Sequence, residues 1–194
     1  LTPAQARAAA EARLAKGEKG AVRFWIKEKK DYKIKDLIRG EVEFKSGMVG
    51  DFVVLRSDGM PVYNFCCVVD DALMKITHVL RAEEHLSNTV RQAMLYEAFN
   101  WPVPQFGHMS VVLGPDKQKL SKRHGATSVN DYRVNGYVKE AMLNYIALLG
   151  WSSPDGREVV PMPDMIKLFD VDRVHPSPAV FDHVKLKWMN SVYL

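Results

Sequence analysis

The stretch KITHVLRAEEHLSNTVRQAMLYE, residues 75–97, decides how this chain reads. Residues 76–81, ITHVLR, form a short and nearly continuous apolar run, the kind of strand that a parallel sheet buries on both faces. RAEEH, residues 81–85, breaks that run with charge. Leu86, Val90, Ala93, Met94 and Glu97 then recur at helical spacing. The unit is therefore strand, polar turn, helix, and it predicts an open α/β sheet.

Downstream the pattern repeats once and then changes. After NWPVPQFG, residues 100–107, the run HMSVVL (108–113) predicts a second short strand, which delivers the chain into GPDKQKLSKRHGATS, residues 114–128. This basic segment carries two Gly and a Pro and reads as a loop. Residues 137–150, YVKEAMLNYIALLG, place Val138, Ala141, Met142, Tyr145, Ile146 and Leu149 on one helical face and stop at Gly150. A helix near residues 163–169, a loop HPSP (175–178) and a last helix from Asp182 complete the tail. Strands alternating with helices, followed by helices only, predict a partial α/β sheet and then an α-helical unit.

Upstream, Thr2 and Pro3 start a helix over residues 3–16, which Gly17 and Gly20 stop. Residues 21–47 alternate apolar positions (Val22, Phe24, Ile26, then Val42, Phe44) with charged ones, which predicts strands with solvated outer faces. In DFVVLRSDGMPVYNFCCVVDD, residues 51–71, two apolar runs (52–55 and 62–69) flank Asp58-Gly59, a turn signal, and predict a hairpin. Asp70 and Asp71 would cap a short helix through Leu73 and Met74.

The composition excludes several classes. The chain has 194 residues, 47% hydrophobic and 26% charged, enough apolar content for a sizeable core. No apolar run approaches the 18 or so residues of a membrane span, and the charged, Ala-rich first residues do not read as a signal peptide. Because the chain begins with Leu1, a piece of something longer is expected. The net charge of +4 suits a polyanionic partner. Cys66 and Cys67 are the two cysteines; adjacent in an extended segment, they would point to opposite faces, so Cys alone supplies neither a disulfide framework nor a metal site.

The chemistry concentrates in KLSKR, residues 119–123, which puts three cations and a hydroxyl directly after a strand. Ligands of open α/β sheets bind beyond the carboxyl ends of the strands, so these cations could clamp a triphosphate and neutralise charge on departing pyrophosphate. A solvated basic surface is the plainer alternative. VVDD (68–71) and RAEEH place carboxylates on the same inferred edge, where they could grip an amino group or ribose hydroxyls, or simply cap helices. The phosphate-loop pattern G-x-x-x-x-G-K-[ST] is absent.

With these residues assembled, KLSKRHGATS (119–128) resembles the KMSKS signature of class I aminoacyl-tRNA synthetases. SDGMPVYNFCCVVDDALMKITHVLRAEEHLSNTVRQ (57–92) resembles the stretch that precedes it in bacterial-type glutamyl-tRNA synthetases, and the likeness continues through LNYIALLGW (143–151) and FDHVKLKWMN (181–190). The resemblance implies a Rossmann-type α/β fold. Residues 1–50 would belong to an inserted connective segment, 51–130 to the second half of the catalytic domain, and 131–194 to an α-helical region that contacts the tRNA stem.

It further implies ATP-dependent ligation of L-glutamate to tRNA(Glu) through glutamyl-adenylate, with Mg²⁺, at the acceptor end of the tRNA. Lys119 and Lys122 match the signature lysines that hold the triphosphate, with Leu120, Ser121 and Arg123 completing the ATP-binding segment. Val112 matches a position that meets adenine through its backbone, and Glu84 an ATP-binding carboxylate. Tyr63, Asn64, Phe65, Cys66, Cys67 and Arg81 match the glutamate pocket; a guanidinium suits a carboxylate because it pairs in a bidentate fork. Cys67 stands where other members have Asn, which puts a direct role for its side chain in doubt.

Nothing in the chain matches the family's HIGH signature, and the Cys pattern of the zinc site in some members is missing. The expectation is that these residues alone do not adenylate glutamate, although a longer parent would. The parent is expected to be monomeric and cytoplasmic in a bacterium, or to lie in a plastid stroma or mitochondrial matrix, with no membrane partner. Rival readings are a glutaminyl-tRNA synthetase, a short paralogue that glutamylates a modified tRNA base, or a non-catalytic synthetase-like module that binds tRNA or protein. With half of the sheet absent, Val68, Val69, Ile76 and Val79 would lose strand neighbours and leave an exposed edge.

Overall fold

The computed structural model describes residues 3–28, 30–121, 123 and 128–194. Thr2, Lys122 and residues 124–127, on which parts of the sequence reading fell, lie outside the described residues. The elements run α1 (Pro3–Leu14), β1 (Val22–Phe24), β2 (Tyr32–Asp36), β3 (Gly40–Phe44), β4 (Phe52–Leu55), α2 (Tyr63–Leu73), β5 (His78–Ala82), α3 (Leu86–Ala98), β6 (Gln105–Met109) and β7 (Val112–Leu113). They continue with α4 (Val129–Val134), α5 (Lys139–Leu148), α6 (Met162–Leu168), β8 (Ala179–Val180) and α7 (His183–Tyr193). The principal sheet has the order β3-β2-β6-β5, with β2 parallel to β6 through Asp36 and Phe106.

The chain divides into two compact units, the first made of Leu1–Ile34, Glu41–Val79 and Ser87–Gln105. Here β1 and β4 form an antiparallel ribbon with an irregular register, and the Phe24 and Phe52 rings stack at 5.1 Å. α3 supplies the buried side: Val90, Ala93 and Met94 are buried at the expected spacing and Leu95 and Tyr96 join them, so the helix is covered on more than one face, while Glu97 is exposed.

The expected hairpin is corrected in this unit. Asp58-Gly59 does turn the chain, with Gly59 at φ +84° and the Arg56 N–H donating to the Met60 carbonyl at 2.8 Å. The chain folds back only as far as Pro61 and Val62, whose N–H reaches the Val54 carbonyl at 3.0 Å, before α2 begins. The reason is periodicity. Val62, Phe65, Val68 and Val69 sit at helical spacing, and only Val68 of α2 is fully buried. Cys66 and Cys67 are thus successive helical positions rather than opposite faces of a strand, and Asp70 and Asp71 close a helix instead of starting one. Val68 and Val69 accordingly have no strand neighbours to lose.

The second unit comprises Lys35–Gly40, Leu80–Leu86 and Phe106–Leu194. Its core gathers Tyr132, Ala141, Met142, Tyr145, Phe181, Leu186 and Met189, with Tyr145 and Phe181 edge to face at 5.1 Å. Buried polar side chains tie α5 and α7 to the chain around them. Asn144 accepts from the Val160 N–H at 2.8 Å and the Tyr193 hydroxyl at 2.7 Å, and Asn190 accepts from the Val138 N–H at 2.8 Å. The Tyr145 hydroxyl accepts the Asp182 N–H at 2.6 Å, and burial pushes its pKa up to about 12.

Three elements depart from expectation in this unit. The second strand breaks after Met109 and resumes at Val112, so it becomes β6 and β7. α4, which the sequence reading missed, is set by a capping box in which the Ser128 Oγ accepts the Asp131 N–H and the Asp131 carboxylate accepts the Ser128 N–H, both at 3.2 Å. Ile146 of α5 is half exposed rather than in the core. It lines an apolar groove of about 720 Å³ with Leu80, Met109, Trp151, Ile166 and Phe169.

Candidate nucleotide and amino-acid site

The basic segment begins as an ordered turn. Lys117 takes φ +58°, the Gly114 N–H donates to the Gln118 carbonyl at 2.7 Å, and the Asp116 carboxylate accepts the Gln118 N–H at 3.0 Å. The chain then returns against β7: Leu113 bridges Lys119, and the Leu120 N–H donates to the Val112 carbonyl at 2.9 Å. β7 itself pairs in parallel with β8. Leu120 packs against the core cluster of α5 and α7, so an apolar anchor fixes the backbone that carries the cations.

This places Lys119 beside the turn after β5. Its ammonium donates to the Glu84 carboxylate at 2.6 Å, and both side chains are largely exposed, 65% and 48%. The hydrogen bond from Lys119 and its charge hold the Glu84 carboxyl below the usual range. Arg123 lies 3.4 Å from Asp116. Of the ATP-binding residues read from the sequence, Glu84, Val112, Lys119 and Leu120 therefore converge here; Ser121 follows half-buried, and Lys122 is not among the described residues.

The residues read as a glutamate pocket divide. Tyr63, Asn64, Phe65, Cys66 and Cys67 all lie in the first turn and a half of α2, where successive side chains fan out by about 100°, so that Tyr63 shares a face with Cys66 and Cys67 while Phe65 points elsewhere. Asn64 accepts from Gln92 of α3 at 3.1 Å, and Phe65 lies 6.2 Å from Phe99. Arg81 belongs to the second unit. There its Nε–H donates to His108 Nε2 at 3.1 Å, and its guanidinium lies 5.3 Å from the centre of the Phe106 ring.

Three residues around Arg81 escaped the sequence reading. His108, fully buried in β6, has its Nδ1 2.5 Å from Asp36 Oδ2, and Asp36 Oδ1 accepts the N–H groups of Ile38 and Arg39 at 3.0 Å and of His108 at 3.1 Å. Burial would raise the Asp36 carboxyl, but the hydrogen bonds from His108, Arg39 and Ile38 outweigh it and hold it below the usual range. Burial pushes His108 down from 6.5 against the pull of Asp36, so the imidazole is neutral. Arg39 joins the same knot: it pairs with Glu83 and donates to the His108 carbonyl at 3.0 Å and the Ser110 hydroxyl at 2.9 Å. A signal for Asp36 existed in YKIKD (32–36), whose alternation puts Asp36 on the same face as Ile34, which is buried. His108 gave a weaker one, a polar residue inside an apolar strand.

Residues 4–188 match the family of tRNA synthetases class I (E and Q), catalytic domain. The chain belongs to that family. A glutamate–tRNA ligase of Bdellovibrio bacteriovorus is 62% identical over 183 residues, 94% of this chain and 37% of the relative. The crystal structure of a glutamate-tRNA synthetase from Elizabethkingia anophelis superposes with a TM-score of 0.88 at 38% identity, over 96% of this chain and 41% of that one. A glutamate tRNA ligase from Elizabethkingia meningosepticum, crystallised in complex with its amino acid, gives 0.89 at 37% identity, over 95% and 40%. The chain thus spans about two fifths of the length of these synthetases. Its mixed α/β architecture is that of their catalytic domain, and no helix among the described residues is long and apolar enough to cross a membrane.

Proposed function

We propose that the protein carrying this chain ligates L-glutamate to tRNA(Glu) at the expense of ATP, by way of glutamyl-adenylate. The observation that carries the reading is the Lys119–Glu84 contact at 2.6 Å, which sets a signature lysine against the carboxylate matched to ATP binding. A cation on an anchored backbone segment can follow the triphosphate and stabilise charge as pyrophosphate leaves, which favours the transition state over the ground state. Exchange of Glu84 for phosphate as the lysine's partner costs little at so exposed a pair.

Lys122 and Arg123 extend the clamp, Ser121 and Leu120 shape it, and the Val112 backbone meets adenine. Arg81 takes a carboxylate of glutamate, and Tyr63, Asn64, Phe65, Cys66 and Cys67 are the other residues matched to amino-acid binding. Magnesium, the ion this chemistry uses, would arrive on the phosphates: among the described residues no three His, Cys, Asp or Glu side chains form a cage for it. In this reading residues 1–50 belong to the connective segment, 51–130 to the second half of the nucleotide fold and 131–194 to the stem-contact region. The protein would be a monomer working in a bacterial or organellar translation compartment.

The test is ATP/pyrophosphate exchange by the intact protein, with and without tRNA, comparing glutamate with glutamine and wild type with Lys122→Ala. Exchange that requires glutamate and is lost in the variant supports the reading. A folded protein that exchanges with neither amino acid refutes it.

A further inference from the structure

Arg81 can point a carboxylate-binding fork in a fixed direction only if something holds its other end. Asp36 of β2 and His108 of β6 do so in sequence, with Phe106 of β6 beneath them. Asp36 closes β2 with both carboxylate oxygens engaged: Oδ1 by three backbone N–H groups and Oδ2 by His108 Nδ1. An ionised carboxylate accepts and cannot donate, so the proton sits on Nδ1 of His108. The tautomer is thereby fixed with a lone pair on Nε2. A guanidinium only donates, and its Nε–H meets that lone pair at 3.1 Å. The Phe106 ring stacks on the imidazole and lies under the guanidinium, so both planar groups rest on one surface.

We infer that Asp36 and His108 are positioning residues for substrate recognition: they form a buried relay that sets the orientation of Arg81 and so tunes the affinity for the amino-acid carboxylate. The inference rests on the proposed function, in which Arg81 receives glutamate. His108 takes the Nε–H and the His85 carbonyl lies 3.5 Å from one Nη, so the protein holds the guanidinium along one edge and fixes the plane in which it would meet a carboxylate. The relay requires neutral His108. The charged groups that face it are Asp36 of β2, Arg39 just after it, and Arg81 of β5, with Glu83 balancing Arg39. Burial and the two arginines favour the neutral ring while Asp36 opposes them.

Two substitutions in the intact protein separate the halves of the relay. His108→Asn keeps an amide donor near the Nδ1 position for Asp36 but loses the acceptor for Arg81, whereas His108→Gln can place its carbonyl near the Nε2 position and restore that acceptor. Pyrophosphate exchange should show the KM for glutamate rising about tenfold in His108→Asn, with the KM for ATP within about twofold, and partial recovery in His108→Gln. The ¹⁵N spectrum of the wild type, which needs no turnover, should show His108 protonated at Nδ1 alone and an Arg81 Nε–H signal that His108→Asn shifts. An unchanged glutamate KM in His108→Asn overturns the relay, as do equal rises in both KM values, or a His108 protonated at Nε2. Failure of the function itself looks different: the spectroscopic relay is present, but the wild type neither exchanges nor lets glutamate move the Arg81 signal, and the substrate role of the relay falls with it.

Discussion

Two acid–base pairs of the second unit stand in opposite relations to water. Asp36 and His108 are completely buried, while Lys119 and Glu84 are 65% and 48% exposed at contacts of nearly equal length, 2.5 and 2.6 Å. The buried pair has both carboxylate oxygens engaged and works as scaffold. The exposed pair is screened by solvent and salt, so it contributes little to stability and can exchange partners. Within one unit, then, the groups that hold a neighbour in place are dry and the groups that would follow a substrate are wet.

The largest effect should come from breaking the buried pair. Asp36→Ala strands three backbone N–H groups and the His108 ring away from water, at a cost of roughly 3–5 kcal/mol. Urea unfolding of the intact protein should show a markedly lower midpoint or no folded protein at all. A loss no larger than that of an ordinary surface substitution would mean that water reaches this site and that the contrast is false. Lys119→Ala should do the reverse, slowing pyrophosphate exchange about a hundredfold while the unfolding midpoint stays put. A variant that lost both together would make Lys119 a structural residue.

How much of this could be read from residues alone follows the same division. That KLSKR and RAEEH meet on one edge was legible because each follows a short apolar strand, and the strand-turn-helix of residues 76–98 was legible from period alone. The 62–69 run misled because a continuous apolar stretch suits a strand or a helix equally, and Asp58-Gly59 favoured the strand until helical packing of Val68 overrode it. Asp36 and His108 stayed hidden because their partners are distant in the chain: a buried polar residue looks like an error in the pattern until the acceptor and donor that satisfy it are seen. The break between β6 and β7 has a similar cause, since Ser110 leaves the strand to bond the Pro176 carbonyl.

The pH dependence of stability sharpens the contrast further. His108 has a folded-state pKa below 6.5, so the unfolded chain binds its proton more readily than the folded one. Stability from this group is complete above the unfolded value and is lost as pH falls below it, by up to about 1.4 kcal/mol per pH unit. Asp36, also lowered in the folded state, adds its own loss below the ordinary range near 3.8. Urea midpoints measured from pH 8 down to pH 5 should therefore decline below about 6.5 in the wild type and less steeply in His108→Gln. A decline of identical slope in both would assign the acid sensitivity to other groups.

Glu84→Gln should have the smallest effect on stability. The variant deletes the charge that Lys119 contacts but leaves an amide of the same shape, and both side chains already face solvent. The unfolding midpoint should match the wild type at low salt and at high salt alike, because water around so open a pair already leaves it worth little. The buried pair should be equally indifferent to salt for the opposite reason, that no counter-ion reaches it. The two sites thus agree in salt response while differing in the cost of deletion, and that combination separates screening from burial. A midpoint drop in Glu84→Gln that vanished at high salt would break the argument: Lys119 and Glu84 would then be a tie that holds the turn after β5 to the basic segment, and the lysine could reach a phosphate only by giving up part of the fold.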